Sequence, residues 1–204
     1  MSDESEIKPG AITAYNREVA LAQRIPTQTV WAMIMQVAPV IYASRISKAA
    51  NPEQAAAVML VGNELGFGLA ASFQYIHIIE DKICVSPQGA LAVVLYSGQL
   101  IDWKMEPGDH SFHCWMKRKN GLEYEYSFSF ADAKKAGLIK PEPEKYLASA
   151  WCKYEPNMLK WRTVGYVLDV LFADLMGGLK RADEFGAAVD DAGKVIEGEW
   201  KDAA

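Results

Sequence analysis

Residues 100–130 read LIDWKMEPGDHSFHCWMKRKNGLEYEYSFSF. Polar and apolar side chains alternate through three runs, Ile101 to Met105, His110 to Lys117 and Leu122 to Phe130. A period of two sends successive side chains to opposite faces, so each run reads as a half-buried β-strand. Asn120-Gly121 separates the last two runs, and both residue types tolerate the positive φ of a type I′ turn. The segment predicts a meander of three antiparallel strands.

Upstream, Tyr75 to Ile79 and Lys82 to Val85 flank Glu80-Asp81 as two short strands of a hairpin. Thr27 or Thr29 caps a helix through Trp31, Ile34, Met35, Ala38, Ile41 and Tyr42, which Pro39 is expected to kink or split. Asn51-Pro52 opens a second helix, Glu53 to Leu65, that ends in the glycine-rich stretch Gly62 to Gly68. Ser86-Pro87 opens a third, Gln88 to Tyr96, closed by Ser97-Gly98. Downstream come a short helix, Ala131 to Ala136, an extended connector over residues 140–144, and a last long helix, Asn157 to Leu175, with Met158, Trp161, Val164, Leu168, Leu171 and Leu175 on one side. The expected class is α+β: a small antiparallel sheet, a three-stranded meander plus a short hairpin, flanked by helices. Residues 1–25 read as a polar, partly flexible arm, 26–182 as the folded core, and 183–204 as an acidic, disordered tail.

Half of the 204 residues are hydrophobic, enough for one substantial core. No charge-free apolar run of about 18 residues occurs, and the acidic start MSDESEIKPG is unlike a secretory signal, so a cytoplasmic protein is expected. Cys84, Cys114 and Cys152 are odd in number and widely spaced, which reads as reduced, buried thiols. The net charge of −5 disfavours a nucleic-acid partner at first sight, yet the acid is concentrated at the ends. Residues 1–18 and 183–204 together carry −7, leaving +2 on the body, a balance permissive for DNA.

No nucleophile with its base and no carboxylate pair stands out. His110, His113 and Cys114 are the nearest approach to a metal site, but a strand sends His113 to the face opposite His110 and Cys114, which reads as ordinary sheet residues. The Gly62 to Gly68 stretch lacks the Lys-Ser/Thr of a phosphate-binding loop, follows a helix instead of a strand, and reads as a tight helix-to-strand turn. Two cationic groups fit phosphate. Lys117-Arg118-Lys119 crowns an aromatic ribbon where Trp115, Tyr124 or Tyr126 offers faces to bases, with solubilising charge as the plain alternative. Lys153, Lys160 and Arg162 lie near the start of the last helix, whose free N–H groups favour anions, while Trp151, Met158 and Trp161 there also suit simple packing.

Four stretches in order resemble the RecT family of phage single-strand annealing proteins, grouped with the Redβ-type recombinases. They are Ala55 to Phe67, Lys82 through Leu91 to Ser97-Gly98, Phe128 to Leu138, and Trp151 through Arg162 to Gly178. The resemblance implies an annealing core of that family, a non-enzymatic and cofactor-free protein that coats single-stranded DNA and pairs complementary strands without ATP as an oligomeric ring or helical filament. It also implies an exonuclease and a host single-strand-binding protein as partners, and no membrane. It assigns DNA contacts to Lys160, Arg162, Lys134 and Lys135. Asp169 and Tyr96 depart from the pattern, standing where relatives often carry a base. Two alternatives remain at this stage, an oligomeric adaptor without DNA activity and a small metal enzyme.

Overall fold

The structure is a computed structural model that describes residues 26–45, 47, 49–139 and 141–196. The expected N-terminal arm and residues 197–204 lie outside the described residues. The chain divides after Ser72 into two compact units.

The first unit is built on two helices. Thr27 Oγ1 accepts from the Val30 N–H to start α1, Gln28–Ser44. The helix is not split: Pro39 sits inside it as a single element, ending at Arg45 in the left-handed region. Asn51 Oδ1 caps α2, Pro52–Glu64, by accepting from Gln54 N–H, while Gln54 Oε1 reaches back to the Ala50 N–H. At its end Gly66 turns left-handed, its N–H bonding Asn63 O and that of Phe67 bonding Gly62 O. This pair of bonds is a Schellman closure, so the stretch is a tight turn as expected, but it leads into a further helix and not directly into a strand. Gly62 itself is required for contact, since a Cβ there would overlap Ser72 on α3, Leu69–Tyr75.

The second unit begins with the hairpin β1, Ile76–Ile79, and β2, Lys82–Val85. Glu80 and Asp81 both take positive φ between the paired Ile79 and Lys82, so the two-residue type I′ geometry falls here. Ser86 Oγ accepts from the Gly89 N–H to cap α4, Pro87–Tyr96, which buries Ala90, Leu91, Val93 and Val94.

The meander forms as expected, in the order β3, Leu100–Gly108, β4, Ser111–Arg118, and β5, Glu123–Ser129. The Asn120-Gly121 turn differs in kind: Gly121 N–H bonds Arg118 O, Arg118 N–H bonds Leu122 O, and only Gly121 of the pair has positive φ. That is a three-residue loop with a glycine bulge, a tighter match to the strand ends than the expected pair. His110 is in the β3–β4 turn, not on a strand.

Register decides the faces. Phe112, Cys114 and Met116 of β4 share one face with Phe128, Tyr126 and Tyr124 of β5 and with Pro107, Met105 and Trp103 of β3. After α5, Phe130–Lys135, the short helices α6, Pro143–Ala148, and α7, Ala150–Lys153, replace part of the expected connector, with Pro143 in a first-turn position that suits it. α8, Glu155–Leu171, lies across β4 and β5 on that apolar face and breaks at Phe172 before the single turn α9, Ala173–Met176. The break ends the expected helix four residues early. Among the described residues, no single helix is long and apolar enough to cross a membrane.

The expected disordered tail is corrected over residues 183–196. A 3-10 turn, Ala182–Phe185, leads to buried Ala187, Ala188 and Val189, and Val189 pairs with Val195. Gln88 N–H bonds Gly193 O, the Trp161 indole N–H bonds Asp190 O, and a Cβ on Gly193 would come within 2.6 Å of the Trp161 ring. The acidic composition misleads because the small residues fit against Trp161 and the acids find arginines within the fold. Deleting residues 187–204 removes two buried valines and the cover of Trp161, so unfolding stability should fall by about 3 kcal/mol or more. An unchanged urea midpoint would restore the disordered reading.

Candidate nucleic-acid interface

Charge in the second unit is sorted by residue type. Its three arginines point inward, with side chains only 15% (Arg118), 13% (Arg162) and 3% (Arg181) exposed. Its described lysines lie at the surface or are half-buried. Guanidinium is planar and weakly hydrated, which suits buried pairing, whereas the ammonium of lysine stays hydrated.

The inward set forms a network. Arg181 Nη1 meets Asp169 at 2.7 Å and Glu184 at 3.5 Å, its Nε meets Asp183 at 3.2 Å, and Arg162 reaches the other oxygen of Asp183 at 3.6 Å. Burial pushes the Asp183 carboxyl up, and Arg181 and Arg162 pull against that. Burial also opposes the charge on Arg181, but Asp183, Asp169 and Glu184 outweigh it and hold the cation. Gly165 lets this happen, because a Cβ there would overlap the guanidinium. Asp169 is therefore turned to an internal cation. Tyr96 is exposed at the end of α4.

The expected contact residues do not converge. Lys117 lies 3.6 Å from Glu123 across the strands. Arg118 makes a two-pronged pair with Asp174 at 2.7 and 2.8 Å, donates to Leu171 O at 2.7 Å, and stacks 5.4 Å from the Phe172 ring. Only Lys119 of that tip projects from the turn, exposed and without an ion pair among the described residues. Tyr124 and Tyr126 face α8, with Tyr126 4.9 Å from Tyr166, so they offer no platform for bases. Trp115 is on the open face between Lys104 and Glu125. That face carries Asp102, Glu106, Glu123 and Glu125 against Lys104 and Lys117, a balance that repels phosphate.

Lys134 and Lys135 are exposed on α5, which follows the far end of β5, about 23 Å of strand away from Lys117. Lys135 stands 3.9 Å from Asp132, which is held low by the Ser129 cap. Lys153 is exposed on α7. Lys160 donates to Asp191 O at 2.5 Å and sits 4.9 Å from the Trp161 ring, its ammonium still reaching solvent. Arg162 belongs to the inward network. Sequence reasoning misses Arg181, Asp183 and Asp174, and one signal for them is present: a glycine in mid-helix at 165 marks a close approach.

The metal candidates are kept apart. His110 Nδ1 pairs with Glu155 at 2.5 Å, His113 bonds Ser127 at 2.8 Å, and Cys114 is buried under α8. Among the described residues, no group of three His, Cys, Asp or Glu is placed to share an ion. Burial pushes the Cys84 and Cys114 thiols up to about 12, so both stay protonated. No family model matches the chain, and no curated protein matches it.

The His110–Glu155 pair ties the β3–β4 turn to the start of α8, and its hydrogen bond raises the imidazole above its ordinary 6.5. A raised folded value means that the pair steadies the fold below 6.5 and loses this effect as pH climbs through the folded value. NMR titration should place His110 above 6.5 and Glu155→Gln should bring it back; an ordinary value in the parent protein would remove the clasp.

Proposed function

We propose that this chain binds single-stranded DNA and anneals complementary strands without ATP, as an oligomer of the RecT type in phage-style recombination. The observation that carries the reading is the order and spacing of the four stretches, which together build most of α2, β2 with α4, α5 and α8. The inward pairing of Asp169 supports it, because the carboxylate that would oppose a phosphate is neutralised by Arg181. The sorting of charge supports it as well. Annealing requires backbone to be held loosely while base edges stay free, and surface lysines supply weak, mobile grips that repetition along an oligomer multiplies. The lysines suited to this are Lys119, Lys134, Lys135, Lys153 and Lys160, while Arg118 and Arg162 hold the scaffold on which they stand.

An adaptor without DNA activity is the competing reading, favoured by the acidic open face of the sheet, and one experiment separates them. Complementary oligonucleotides mixed with the protein and no nucleotide should pair faster, and binding should weaken steeply with salt; no acceleration and no salt-sensitive binding would reject annealing. Lys160→Ala with Lys134→Ala should leave the fold intact and lower the salt slope by about 0.7 for each phosphate that is no longer neutralised. Arg162→Ala should instead lower stability by about 3 kcal/mol, as it leaves Asp183 short of a partner.

A further inference from the structure

The bases of a single strand are unstacked, and a protein that holds them bare offers flat rings to the bases and cations to the phosphates between them. Rings are the scarcer of the two here. Most aromatic side chains of the second unit are committed to one another: Tyr126 and Phe128 meet Tyr166, Phe128 meets Trp151, and Phe130 meets Tyr146. Among the described residues of this unit, two Tyr or Trp rings are more than a third exposed, Tyr96 at 77% and Trp103 at 41%, and neither stacks on another ring.

Both rings stand at the end of the sheet where Arg118 closes β4, and Tyr96 is the last residue of α4. Gly98 N–H bonds Leu95 O, and the Ser97 hydroxyl donates to Val94 O while accepting from Gln99 N–H, so residues 97–99 fold back on the last turn of α4. Gln99 O then accepts from Lys119 N–H at 2.7 Å, which fastens the hairpin tip beside that turn. Trp103 follows on β3, about 13 Å of strand beyond Gln99, on a side left open because α8 packs chiefly on β4 and β5. Lys119 supplies the cation. It is exposed and has no ion pair among the described residues, whereas its neighbours are engaged, Arg118 with Asp174 and Lys117 with Glu123. The nearby Asp102 is opposite Lys117, on the other face of the sheet from Trp103, since successive strand residues alternate.

We propose that Tyr96, Trp103 and Lys119 form a contact site for single-stranded DNA, in which bases stack on the two rings and a phosphate rests on the ammonium. This rests on the annealing reading above and adds the grip on bases, which lysines do not provide. The unpaired cation selects the occupant. An apolar protein surface pressed onto the two rings would bury Lys119 without a partner, which is strongly disfavoured, whereas a nucleotide brings its flat base and its anion on one tether. Duplex DNA does not fit, because its bases are already stacked inside the helix. Every base has a flat face, so the site takes single strands of any sequence. Stacking also leaves the pairing edges of the bases free, as annealing requires.

The test uses the full chain and measures binding of a fluorescent oligothymidylate, and of its duplex with oligoadenylate, over a range of salt. Wild-type protein should prefer the single strand. Tyr96→Ala should weaken single-strand binding about fivefold or more with the salt slope unchanged, and Tyr96→Phe should bind like wild type, since stacking needs the ring and not the hydroxyl. Trp103→Leu should behave like Tyr96→Ala, while Lys119→Ala should instead lower the salt slope by about 0.7. Tyr96 is exposed enough for its replacement to leave the core untouched, and circular dichroism checks the fold of each variant. Wild-type affinity in both Tyr96→Ala and Trp103→Leu overturns the site, as does an equal loss in Tyr96→Phe. So does self-assembly of the wild type without DNA that Tyr96→Ala abolishes, because the rings would then face protein. Annealing is scored separately. Annealing and binding that survive unchanged in both ring variants reject the site and leave the function standing; ring-dependent binding without annealing does the reverse; a wild type that binds no single strand at any salt rejects both.

Discussion

The second unit depends on one buried cation. Arg181 lies against α8 in a space that exists only because residue 165 has no side chain, and taking its guanidinium out of water costs several kcal/mol before pairing. Asp169 answers that charge from α8 itself, and Asp183 and Glu184 answer it from the turn that follows. Arg162 then has to share Asp183, and Lys180 pairs with Glu184 at 3.2 Å. The backbone beside Arg181 is fixed as well, because Lys180 O accepts from Val85 N–H and so joins the segment to the β1–β2 hairpin. Hairpin, long helix and terminal segment are thus held by one electrostatic knot, while α8 also carries the sheet.

The sorting of cations follows from the same physics. A side chain that must be buried beside carboxylates is best an arginine, whose several donors can serve several acceptors at once. Once arginines are committed this way, what remains for a solvent-borne polyanion is lysine.

Legibility tracks how local each signal is. The meander, the hairpin, the helix caps at Thr27, Asn51 and Ser86 and the turn at Gly66 are all readable, since alternation, Asn-Pro, Ser-Pro and glycine act within a few residues. The type I′ turn expected at Asn120-Gly121 belongs instead to Glu80-Asp81, because strand register outweighs turn propensity. Residues 183–196 are easily misread because acidic, small-residue composition describes a solvated tail and a closely packed strap equally well; only the distant partners Trp161, Gln88 and Arg162 distinguish them. The candidate contacts fare worst. A run of Lys117, Arg118 and Lys119 looks cationic in one dimension, whereas Asp174 and Glu123 neutralise two of the three from positions that no local pattern announces.

The strap over Trp161 also sets an order of events in the living cell. The acids of the turn that answer Arg181 and Arg162, and the valines that close over α8, lie between residues 183 and 195, after every helix and strand of the second unit. Until they leave the ribosome, Arg162 lacks its carboxylate, Arg181 has Asp169 alone, and the Trp161 indole on α8 is uncovered. The packing around Trp161 and Arg162 is therefore completed only by the last residues of the second unit to be made, up to Val195.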